Sequence, residues 1–183
     1  MGNRGCLHDA DRRIRRHYVG KRWIICVLEF KGRRREVMTP RRYTELFFLD
    51  EATALAAGHR PCVECQRIRY LEFRRHWMAG QDASNAPSVD ELDAVLHTER
   101  VDADRRRRTH VAPWARLPDG VIAAGADDRA YLVHGGRLLA WTPGGYDTTR
   151  AESPMAEMRV LTPPSVVAAI RDGYHVQLHP SAL

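Results

Sequence analysis

Lysine is nearly absent from this chain. Of its 29 basic residues only Lys21 and Lys31 are lysines, and the rest are arginines. Long apolar runs are missing as well. The longest, residues 23–28 (WIICVL) and 121–124 (VIAA), fall far short of the roughly 20 residues that a membrane span needs, so no membrane partner is expected. The first residues, MGNRGCLHDADRRIRRH, contain no apolar signal core, and Cys6 stands where a myristoylation motif wants Ser or Thr. A cytoplasmic location is the expectation. There is no P-loop, no Rossmann glycine pattern and no nucleophile elbow, which removes several common nucleotide and acyl-transfer sites. No internal repeat is present, and no feature of the sequence sets an oligomeric state. Cysteine is scarce: Cys6, Cys26, Cys62 and Cys65 are the only four, all near the start of the chain.

What is present is unevenly placed. Residues 1–80 hold 18 Lys plus Arg against 9 Asp plus Glu, a net of +9, whereas residues 81–183 hold 11 against 14, a net of −3. Arginine is suited to bidentate phosphate contacts and to stacking on bases. The segments Arg12, Arg13, Arg15, Arg16 and Arg33, Arg34, Arg35, Arg41, Arg42 are therefore candidate nucleic-acid contacts, with a merely solvated basic face as the plainer alternative.

The cysteines point to metal. Nothing suggests export, and cytosolic thiols stay reduced, so two disulfides are disfavoured. Cys62 and Cys65 form a Cys-x-x-Cys pair in a turn, a spacing that lets both sulfurs reach one ion. Zinc takes four Cys or His donors when its role is structural. Cys26, in the run KRWIICVLEF, is the natural third donor if a hairpin brings that segment close; otherwise it is an apolar core thiol. Cys6 and His8, two residues apart, both stand as candidates for the fourth.

Along the chain, residues 21–30 are rich in β-branched and aromatic side chains and predict a buried strand. Lys31-Gly32 predicts a turn, with 33–39 returning as the partner strand before Pro40. Residues 41–49 predict a further extended segment. Asp50 is a good N-cap for an Ala-rich helix that Gly58 ends. After Cys65 a helix of about four turns is predicted up to Gly80, with Ile68, Leu71 and Arg75 on one stripe and Tyr70, Phe73 and Trp77 on the next. Residues 80–88 form a linker. Ser88 to Glu91 is a capping box opening a helix that reaches about Val101. Residues 120–124, 129–134 and 137–142 predict a β-meander, residues 158–161 another strand, and residues 165–171 a short helix stopped by Gly173. The tail HVQLHPSAL predicts an edge strand.

The run LDEATALAAGHRPCVECQ, residues 49–66, resembles the N-terminal zinc domain of the Ada methyl-phosphotriester repair family. The likeness covers the helix, the Gly, the Arg-Pro-Cys and the second Cys, a span of some 20 residues. The same module occurs attached to nucleases with a His in place of the first Cys. Gly5-Cys6-Leu7-His8 fits that form, and the resemblance implies a structural Zn2+ held by His8, Cys26, Cys62 and Cys65, with Cys6 as the alternative to His8. In the repair family the first zinc thiolate accepts the methyl group. A histidine there implies no methyl-acceptor activity, and the family's Pro-Cys-His-Arg alkyl-acceptor motif is absent from this chain.

The expected fold is α+β. Residues 1–79 would form an Ada-like, zinc-stapled module of a hairpin plus helices, and 88–183 a small antiparallel β-rich domain with flanking helices. The leading expectation is a zinc-binding protein that contacts nucleic acid. The first alternative is a metal-dependent, nuclease-like hydrolase built on His97, Glu99, Arg100 and His110, with Asp102 and Asp104 as further cation ligands. The second is a zinc-stabilised protein-interaction module. The run WTPGGY, residues 141–146, is either a base-stacking platform or a turn that finishes the core.

Overall fold

A computed structural model describes residues 1–32, 36–81, 84–148, 153 and 155–183. The fold is mixed α and β, with four helices and two sheets. Among the described residues no helix is long and apolar enough to cross a membrane.

The N-terminal sheet is small. Strands β1 (Gly2–Asn3), β2 (Ile24–Ile25) and β3 (Arg60–Pro61) lie in that order, β1 antiparallel and β3 parallel to β2. Among the described residues the expected hairpin is not formed. Both edges of Ile24–Ile25 are already paired, by β1 and by β3, so no ladder is left for a returning strand. Residues 36–39 are irregular, and 33–35 lie outside the described residues. The extended segment expected over 41–49 reduces to one bridge, Leu46 to Gly2.

The helices follow their local signals. In α1 (Glu51–Ala56) the Asp50 carboxylate accepts the Thr53 N–H at 2.8 Å. The helix ends in a Schellman motif: His59 N–H donates to Ala54 O and Gly58 N–H to Leu55 O, with Gly58 at φ +81°. Helix α2 (Arg67–Gly80) buries Tyr70, Phe73 and Trp77. The other stripe faces water, Ile68 being 84% exposed. At its end Gly80 lets α2 approach the backbone of α4 (Pro164–Arg171); a Cβ there would lie 2.7 Å from the Ala168 carbonyl carbon. Helix α3 (Val89–Arg100) opens with the expected Ser88–Glu91 capping box.

The second sheet has six strands: β4 (His110–Pro113), β5 (Ile122–Ala124), β6 (Ala130–His134), β7 (Arg137–Thr142), β8 (Gly145–Thr148) and β9 (Glu157–Val160). Their order is β4-β9-β5-β6-β7-β8, antiparallel throughout. The meander β5–β6–β7 is as expected. The WTPGGY run is a tight β7–β8 hairpin with Trp141 opposite Tyr146. Its aromatics are tied to the N-terminus of α1: Trp141 Nε1 donates to Thr53 Oγ1 at 3.2 Å and Tyr146 OH to Asp50 Oδ2 at 2.9 Å. That is the core-finishing role, not an open stacking platform. The tail is no strand. Residues 180–182 make a 3-10 turn, and Asp50 and Glu51 hold the tail by accepting His179 and Gln177 N–H.

One apolar cluster runs through both sequence halves, from Ile25, Leu55, Phe73 and Trp77 to Leu132 and Val160. A buried ion pair crosses it. Arg60 on β3 and Asp93 on α3 are each 1% exposed, and the guanidinium grips the carboxylate at 2.9 and 2.7 Å. Removing one partner of such a pair leaves an uncompensated buried charge. Asp93→Ala is expected to cost about 3–5 kcal/mol in urea denaturation, far more than exposed Asp90→Ala. Equal costs for the two would refute this account.

Candidate metal centre

Parallel pairing places the thiols. Ile25 of β2 is in register with Pro61 of β3, so the next residues, Cys26 and Cys62, leave the ladder side by side. Cys62 N–H donates to Ile25 O at 2.9 Å, and Gln66 Nε2 donates to the same carbonyl at 3.0 Å. The turn then carries Cys65 back to the group just before α2 begins. The Sγ atoms of Cys26, Cys62 and Cys65 lie within 4.8 Å of one another. All four cysteines are free thiols. The trio could hold a metal ion.

The electrostatics suit that. The Cys26 thiol beside it, together with the backbone N–H groups of Cys65 and Glu64, pulls the Cys62 thiol down to about 5. The Cys26 thiol is pushed up, first by that hydrogen bond and then by burial, and burial pushes Cys65 up. A soft sulfur donor set favours thiophilic ions over magnesium or calcium. The three cysteines also line a cavity of about 620 Å3 whose other walls include Leu28, Phe30, Val37, Tyr43 and Phe47.

His8, expected as a ligand, is not in the group. It is buried, with Nδ1 hydrogen-bonded with Thr44 Oγ1 at 2.6 Å and Nε2 with Thr39 O at 3.3 Å. Its alternative, Cys6, donates to His8 O at 3.5 Å and is also outside the group. The reason is topological. β1 ends at Asn3, and the chain after it turns toward Thr44, away from the sulfurs. His8 therefore clips two loops together, one carrying Arg12, Arg13, Arg15 and Arg16, the other Arg41 and Arg42. These six arginines are exposed, and Arg12 pairs with Glu36 while Arg15 pairs with Asp9. Arg33, Arg34 and Arg35 lie outside the described residues.

The hydrolase candidates do not converge. Glu99 points at α4, accepting Ser165 Oγ–H at 2.6 Å and Ser165 N–H; burial raises its carboxyl. Arg100 is a buried clamp, donating to Gly58 O and Lys21 O. Its Nη2 lies 3.5 Å from His97 Nδ1, and burial, then the charges of Arg100 and Lys21, lower the His97 pKa. His110 sits on β4 opposite Val160. Asp102 accepts the Arg106 N–H in a turn.

What the sequence hid is a cationic stack around Trp23. The Arg4 and Arg100 guanidiniums lie 4.3 and 4.0 Å from its ring centroid. His59 packs against Trp23 and Phe48 and is fully buried, with no hydrogen bond of good geometry at either ring nitrogen among the described residues; the Ala54 and Ala57 carbonyls make only weak approaches. Burial, then Arg4 and Arg100, hold its pKa well below 6.5. Since the unfolded chain takes the proton first, stability from a neutral His59 is complete above about pH 6.5 and is lost as pH falls below that value. His59→Leu is expected to flatten part of the decline between pH 7 and pH 5 in denaturant midpoints; an unchanged pH profile would refute the role.

Comparison with known proteins finds no matching family model, no matching curated protein and no matching solved structure.

Proposed function

We propose that this is a zinc-binding protein whose ion is held by Cys26, Cys62 and Cys65, and whose arginine-rich loops contact nucleic-acid phosphates. The observation that carries the metal reading is the gathering of three unoxidised sulfurs from two distant chain segments within 4.8 Å. The Ada-like resemblance of residues 49–66 supports the same ion. Zinc there staples the exit of β2 to the start of α2, in a region whose strands are only two residues long. Such short strands cannot hold a fold by themselves. The reading includes no methyl-acceptor repair.

The nucleic-acid part rests on the charge asymmetry of the chain and on the His8 clip, which sets two arginine-bearing loops beside each other. Arg13, Arg16, Arg41 and Arg42 form no ion pair with a described residue, so they are available for phosphates. A hydrolase at His97 has no comparable support, because its would-be partners are spent on Ser165, Gly58 and Lys21.

Two experiments test this. Purified protein should contain about one zinc per chain, and Cys62→Ser should lose most of it and lower the thermal midpoint; a metal-free, equally stable wild type would sink the proposal. Affinity for single- or double-stranded DNA or RNA should fall steeply with salt. The log–log slope should drop by roughly one for each phosphate-contacting arginine removed, as in Arg13→Ala or Arg42→Ala. Affinity that is absent, or flat in salt, removes the nucleic-acid part.

A further inference from the structure

The zinc reading leaves a donor position unfilled, and the surroundings of the sulfurs indicate what fills it. No fourth His, Cys, Asp or Glu among the described residues brings a donor atom within 4.8 Å of all three sulfurs. The two residues that sequence offered, His8 and Cys6, are engaged with Thr44, Thr39 and each other. Zinc sites closed by four protein donors are structural, whereas a site of three protein donors keeps its remaining position for an exchangeable ligand.

Cys62 is buried and Cys26 and Cys65 are half-buried. They face the cavity of about 620 Å3, a size suited to a small organic molecule. Its walls include the apolar Leu28, Phe30, Val37 and Phe47, with Glu29, Glu45 and Glu64 among them. Leu28 is 73% exposed and Phe47 63% exposed, so large apolar side chains stand in solvent beside a sulfur cluster. Apolar side chains left open around a concave site mark a place where a ligand's apolar body is covered.

We propose that the Cys26–Cys62–Cys65 centre takes a small thiol with an apolar body as an external ligand, its sulfur on the metal and its body against Leu28, Phe30 and Phe47. The inference rests on the zinc reading of the same site. Sulfur fits a thiophilic ion already held by thiolates. On binding, the ligand's S–H bond breaks and a metal–sulfur bond forms. The proton goes to solvent, and the solvent molecule in that position leaves. No electron is transferred.

The test uses the full chain loaded with cobalt(II) as a spectroscopic substitute for zinc, titrated without oxygen with thiophenol and, separately, with phenol. Thiophenol is expected to raise the sulfur-to-cobalt charge-transfer absorption by about one third, as three sulfur donors become four. Phenol is expected to leave it unchanged. Replacing exposed apolar walls, Leu28→Ser with Phe47→Ser, should weaken thiophenol about tenfold while cobalt uptake is unchanged. Cobalt charge-transfer bands that do not move with thiophenol overturn the inference and leave the metal reading standing. An equal response to phenol, or loss of the bands because the thiol strips the metal, overturns it too. A chain that shows no cobalt–sulfur band at all overturns the metal reading, and the inference with it.

Discussion

The buried pair of Arg60 and Asp93 is the constraint on which the candidate site depends. Arg60 is half of strand β3, and the residue after β3 is Cys62. A guanidinium with 1% exposure cannot shift without breaking a desolvated, doubly hydrogen-bonded contact. The pair therefore fixes β3 against α3, and β3 fixes the parallel register with β2 that sets Cys26 beside Cys62. Arg60 Nη1 also donates to Pro61 O, so the same side chain braces the peptide leading into the Cys turn. A two-residue strand has little ladder energy of its own. Here its position is set by a charge buried in the core of the other half of the chain.

The arginines thus divide by environment. Arg60 and Arg100 are interior fasteners, and Arg107 fastens from the surface. Arg100 and Arg107 donate to Gly58 O and Ala56 O, placing two cations at the C-terminal end of α1, where the helix dipole favours them. Arg69 pairs with Glu51 and lies over the Tyr174 ring, tying α2 to the chain after α4. A guanidinium can do this because its fork satisfies several carbonyls at once, which a lysine cannot. The cost shows in Arg100, whose pKa burial lowers to about 9, with Arg4 and Arg60 adding to the shift and Asp93 opposing it. The arginines of the loops near His8 have no such work inside the fold. A composition this poor in lysine consequently holds two sets of arginines, one fastening the fold and one left at the surface.

The parts of the fold legible from sequence are those decided within a few residues. Asp50 as an N-cap, Gly58 as a helix stop, the Ser88 capping box and the β5–β6–β7 meander are local choices of turn and cap chemistry. Most of what sequence missed is non-local, the β7–β8 turn being the local exception. KRWIICVLEF has the composition of a strand, but composition does not say that β1 and β3 will take both its edges. Ile68 and Leu71 have helical spacing, yet the core reaches α2 from the side of Phe73. Strand β8 was concealed by Pro143-Gly144, which reads as the end of a meander and is in fact a turn within it. At the site, Cys62 and Cys65 were legible from their spacing and Cys26 from elimination among few cysteines. His8 was misplaced because Gly5-Cys6-Leu7-His8 matches a pattern locally, while its position is decided by Thr44, 36 residues away.

The same non-local logic explains why the sulfurs meet at a cavity and not in the core. Parallel neighbours deliver their next residues together, but past the ladder nothing obliges the chains to stay paired. After Cys26 the chain runs out through Leu28 and Phe30, and after Cys62 it turns into α2. The divergence opens a space that the apolar side chains of the departing segment line but do not fill. Three thiols at the point of divergence are partly sheltered, with Cys62 buried and Cys26 and Cys65 half-buried. That arrangement leaves a face of the cluster accessible. A hairpin over 21–39 would have covered that face with its own return strand. The break in the predicted strand at Cys26 is therefore what leaves open space beside the three thiols.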